Sequence, residues 1–111
     1  MNNKEKLMYM IIDTIVDCCS IEVNGIKSVT AEQVLGKSRA ENVVMTRCIV
    51  AQQLVNSGYS MTTVAAVLNR SVHGIRHLIQ VSDQYMHTSR AYRLAMAQAT
   101  LGCRDLEPEG L

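Results

Sequence analysis

Over residues 4–19, apolar side chains recur at three- and four-residue steps: Leu7, Met8, Ile11, Ile12, Ile15, Val16 and Cys19. That spacing collects them on one face of an α-helix. Asp13 and Asp17 fall outside the stripe, and with no His or metal-spaced partner they read as a solvated face rather than an acid–base pair. Asn24-Gly25 then marks a loop, because the dipeptide suits turns with positive φ. In the stretch SVTAEQVLGKS, Thr30 with Gln33 three residues on is the signature of a capping box opening a short helix, which Gly36 closes. A broad stripe of Val43, Val44, Ile49, Val50, Ala51, Leu54 and Val55 predicts a central helix over 40–57, with Gly58 placed for a left-handed cap.

Ser60 is positioned to cap a shorter helix over 61–68, Asn69 and Arg70 form a turn, and Ser71 caps the next helix. In that next helix Val72, Ile75, Leu78 and Ile79 share one side, and His73, Arg76, His77 and Gln80 the other. Ser82-Asp83 reads as its end. A last helix is expected over 84–101, carrying Tyr85 and Tyr92 as packing residues, and 102–111 as a frayed tail. The fold class is therefore all-α, five to six helices in one domain spanning 1–101.

Composition fits this picture. The chain has 111 residues, 48% of them apolar, which is enough to fold as one domain and too short for two. With four Tyr and neither Phe nor Trp, the core falls to Ile, Val, Leu, Met and Ala, as in packed helices. The single proline, Pro108, lies beyond the helical body. Asp13 and Asp17 interrupt the apolar N-terminal segment, so no membrane span is expected, and no secretion signal is evident. Cys18, Cys19, Cys48 and Cys103 make no CxxC pair and read as free thiols in a reducing cytoplasm.

The formal net charge of +1 conceals an asymmetry. Residues 30–93 carry seven Lys and Arg against Glu32, Glu41 and Asp83, while both flanking segments are net acidic. The middle is the part suited to approach a polyanion. There, two helices joined by a short turn, the second with a polar outer face, have the sequence form of a helix-turn-helix.

Residues 34–79 extend that reading. The stretch resembles the C-terminal, Trp-repressor-like DNA-binding domain of the bacterial replication initiator DnaA. Leu35-Gly36-Lys37-Ser38-Arg39 matches the leucine followed by Ser-Lys-x-Arg in that family. Arg47 falls at the arginine of the family's long helix, Arg70 at its turn arginine, Ile75 at its buried valine, and His77 at a later histidine, without a gap. The resemblance implies double-stranded DNA as partner, a nine-base-pair box, a recognition helix in the major groove and a basic loop in the minor groove. Arg39 would enter the minor groove, where the potential is most negative. Lys37 and Arg47 would hold phosphates, setting register without reading sequence. The set expected to face DNA is thus Lys37, Arg39, Arg47, Arg70, Ser71, His73, Gly74, Arg76 and His77.

The departures concentrate at the reading positions. Ser71, Val72, His73 and Gly74 stand where the family has an acidic residue, a histidine and paired threonines, and Glu41 replaces a basic loop residue. The scaffold is family-like, while the residues that would read the standard box are changed. No GxxxxGK[ST] occurs, so the chain lacks the initiator's ATPase. His73 and His77 have a spacing that can bind zinc, but Gly74 stands where a zinc protease needs Glu, and no third ligand is apparent. Ser71 has no base–acid partners in sequence. Neither an enzyme nor a cofactor is therefore expected. Two functional readings remain: a regulator or accessory factor binding specific DNA sites, or a degenerate DnaA-like fold that binds protein. The terminal helices are available for a homodimer or protein partner.

Overall fold

The computed structural model describes residues 3–18 and 29–104. The expected Asn24-Gly25 loop, Cys19 and the tail beyond Arg104 lie outside the described residues. Six helices follow one another: α1 (Asn3–Cys18), α2 (Ala31–Leu35), α3 (Glu41–Asn56), α4 (Met61–Val67), α5 (Val72–Thr88) and α6 (Arg90–Cys103). No strand occurs among the described residues. The all-α class and the helix count agree with the sequence pattern.

α3 is the axis of the bundle and packs against all five other helices. Cys48, Ile49, Val50, Ala51 and Leu54 are fully buried along it, facing Met8, Ile11, Ile12 and Ile15 of α1 and Ile75 of α5 in one continuous core. Burying each Ile or Leu side chain contributes roughly 1.5–3 kcal/mol. Surrounded in this way, α3 also buries the polar residues Asn42, Thr46, Arg47 and Gln53. Thr46 satisfies its hydroxyl on the Asn42 carbonyl, and Gln53 donates to Thr100 Oγ1 of α6.

The helix ends are set by local chemistry. Thr30 opens α2 with the complete capping box, its hydroxyl accepting from Gln33 N–H while Gln33 Oε1 accepts from Thr30 N–H. α3 ends in a Schellman motif: Gly58, at φ 95°, donates to the Val55 carbonyl and Tyr59 to that of Leu54. The same motif closes α4, with Asn69 at φ 55° in glycine's place. Asn69 N–H reaches the Ala66 carbonyl and Arg70 N–H that of Ala65. Ser60 and Ser71 then cap α4 and α5.

The boundary after α5 corrects the sequence expectation. Ser82-Asp83 does not end that helix; α5 continues without a break to Thr88. Ser82 is buried, and its hydroxyl accepts a 2.7 Å hydrogen bond from the Tyr92 hydroxyl of α6. The Tyr85 and Tyr92 rings, 5.1 Å apart, join the two helices. The true break is Ser89, whose N–H closes α5 on the Tyr85 carbonyl while its hydroxyl caps α6 on Tyr92 N–H. Ser89→Ala is expected to cost about 1 kcal/mol through loss of that cap. An unchanged urea midpoint would show that the cap contributes nothing.

Candidate functional site

The site is built where the loop between α2 and α3 meets the turn between α4 and α5. Asn69 sits in the left-handed region, which is tolerable for a short polar side chain and turns the backbone so that α5 leaves α4 at once. Arg70 follows and reaches back across the chain. Its guanidinium donates to the Leu68 carbonyl at 2.8 Å and to the Gly36 carbonyl at 2.7 Å. From the other side, Lys37 Nζ donates to the Asn69 carbonyl at 3.4 Å. Two contacts of opposite direction therefore lace the loop to the turn.

Arg47 anchors the loop from beneath, which corrects its expected role. The resemblance implies a phosphate contact for it, yet it is only 4% exposed. Nε donates to the Val34 carbonyl, Nη1 to Ser38, and Nη2 to Gln33 and Gly36, at 2.8–3.1 Å. α2 is too short to satisfy its own carbonyls, and the planar fork of one guanidinium collects them. Burial, and then the neighbouring Arg70 charge, lower the Arg47 pKa from its ordinary value. Burial alone does the same for Arg70. Arg47 is a structural clamp and presents no donor face to a ligand.

The other expected residues divide into two groups. Lys37, Arg70, Ser71, Gly74 and His77 come together with Asn69 around an open cleft of about 550 Å3. Arg39, His73 and Arg76 lie outside its lining and are exposed. Arg39 carries no hydrogen bond or ion pair among the described residues. Along α5 the polar side is exposed at His73, Arg76, His77 and Gln80, while Ile75 and Leu78 are buried, as the pattern implies. Gly74 follows the Ser71 cap so closely that an added Cβ would lie 3.3 Å from the Ser71 hydroxyl.

Sequence reasoning missed Gly36 and Asn69, which take part through their carbonyls. The signal for Asn69 was present: an Asn after the last apolar residue of a helix, followed by a capping Ser, suits a left-handed terminus. Nothing comparable announces a carbonyl. Among the described residues no group of three His, Cys, Asp or Glu side chains lies close enough to hold a metal ion. No helix is long and apolar enough to cross a membrane among them either.

The described cysteines are free thiols, with Cys48 and Cys103 buried. Burial pushes the Cys48 thiol up to about 12, partly opposed by the Arg47 charge, and burial with the Cys18 neighbour pushes Cys103 up to about 11. Both keep their protons in the folded state at pH values where an unfolded thiol, at about 8.5, has lost its own. Their contribution to stability is therefore complete below about pH 8.5 and falls as pH rises from there through the folded values. Both should resist alkylation at pH 8 until urea unfolds the chain; rapid modification of either in the folded protein would contradict this.

Comparison of the chain with known protein families, with curated proteins and with solved structures yields no match.

Proposed function

We propose that this chain binds specific sites on double-stranded DNA, as a regulator or accessory factor in replication or transcription built on a DnaA-like helix-turn-helix. One observation carries the reading. The loop bearing Lys37 and Arg39 is laced to the turn that launches α5, so a basic loop and a polar helix face form one fixed unit. A duplex needs such a unit, because phosphate contacts set the register in which base-reading side chains operate. In this reading the first turns of α5 enter the major groove, with Arg76 suited to a guanine edge and His73 and His77 beside it. Arg39 is free to enter the adjacent minor groove. Lys37 and Arg70 approach the backbone.

A second reading, protein interaction, draws support from α6. Leu94 and Leu101, seven residues apart, are 56% and 66% exposed. Salt separates the two readings. Three to five phosphate contacts give an affinity that falls roughly 40- to 500-fold between about 50 and 200 mM salt, whereas apolar association does not weaken. The test is fluorescence anisotropy of the protein with a duplex carrying an initiator box and with a scrambled duplex at both salt concentrations. Salt-sensitive duplex binding is expected; preference for the box would mean that α5 still reads the family's site, and equal binding to both would mean another target sequence. No binding to either duplex at low salt would overturn the DNA reading in favour of the α6 surface.

A further inference from the structure

The joint between loop and turn holds more positive charge than its own contacts neutralise. Arg47 and Arg70 both donate to the Gly36 carbonyl, at 3.1 and 2.7 Å, and their other partners are carbonyls too. No carboxylate among the described residues forms an ion pair with either guanidinium. Lys37 adds a third cation, with its Nζ on the Asn69 carbonyl. A carbonyl oxygen bonds a guanidinium without cancelling its charge, and these neighbouring charges oppose each other.

Donor capacity on the cleft side is left over. Arg70 has five N–H groups, of which two are engaged. The Ser71 oxygen accepts from Gly74 N–H, which leaves its own proton to donate. The missing side chain at Gly74 keeps that hydroxyl uncrowded. Arg70, Lys37 and Ser71 thus surround one open cleft with donors arriving from two backbone segments, the α2–α3 loop and the α4–α5 turn.

We propose that this cleft is a seat for a tetrahedral oxyanion, and that its occupant is a single phosphodiester group of the DNA backbone. The proposal rests on the DNA-binding reading. Several donors arriving from different directions suit a phosphate better than a planar carboxylate. The open walls let a chain enter and leave on either side of the seated group. The occupant neutralises the Arg47–Arg70–Lys37 cluster, so binding also tightens the joint that positions Arg39.

The test uses the full chain in two arms. In the first, amide spectra are recorded as sodium phosphate replaces sodium chloride at constant ionic strength. Phosphate is expected to shift the amides of Lys37 and of residues 70–74 saturably, and Lys37→Gln, a change at an exposed side chain, to weaken this by about tenfold. In the second arm, wild type and Lys37→Gln are titrated with duplex DNA across a salt series. The variant is expected to lose about one contact from the log–log slope. If wild type binds duplex but phosphate gives no specific shift, or Lys37→Gln keeps the wild-type slope, the seat is wrong and the DNA reading stands. If phosphate saturates the cleft but no duplex binds, the phosphodiester assignment falls together with the DNA reading, and the cleft is a site for a free anion.

Discussion

Replacing Arg47 by alanine is expected to lower folding stability by about 3–4 kcal/mol, a large effect for a single substitution. Its four hydrogen bonds all end on carbonyls of α2 and the following loop. Hydrogen bonds to a charged donor contribute roughly 1.5–3 kcal/mol each, which alone would exceed the expected loss. Two effects reduce it: the desolvation of the guanidinium is relieved, and water entering the void can hydrate the abandoned carbonyls. In a chain of this size the remainder corresponds to a fall in Tm of roughly 12–30 °C. Arg47→Lys should recover less than half, because one ammonium cannot span four acceptors set for a planar fork. Urea unfolding measures both variants. A loss below about 1 kcal/mol for the alanine variant would mean that the loop keeps its shape without the clamp.

Arg39→Ala is expected to act on the other axis. Its side chain is exposed and bonded to nothing described, so Tm should stay within the small range of surface changes. Affinity for a preferred duplex should fall by about 1–3 kcal/mol, roughly 5- to 150-fold. Arg70→Ala gives an informative contrast. It should lose both affinity and stability, because the same guanidinium holds the loop. Equal duplex affinity for Arg39→Ala and wild type would remove this arginine from the interface.

The sequence carried most of the helical frame because its determinants are local. Thr30 with Gln33, Ser60, Gly58 and Ser71 act within a few residues of where they stand, and the apolar stripes follow the helical repeat. Ser82-Asp83 misled for the complementary reason. A serine followed by an aspartate looks like a boundary until Tyr92, on another helix, is seen to donate to the serine hydroxyl. Arg47 shows the same limit at the site. An arginine on a helix pattern reads as a surface cation, and only the return of a loop lying 9–14 residues earlier turns it into a clamp. The polar face of α5 was legible from periodicity alone. The cleft was not, since the contacts that bring its two walls together end on the backbone oxygens of Gly36 and Asn69.

The two contacts that lace the loop to the turn join residues 32 and 34 positions apart, whereas every cap and Schellman bond is local. Closing a long segment costs chain entropy before its contacts can repay it. The helices and their ends are therefore the parts to organise early in folding, and the lacing belongs to the last steps. Substitutions at Lys37 or Arg70 should leave the folding rate nearly unchanged and speed unfolding. The segment that would meet DNA is thus also the segment that opens first.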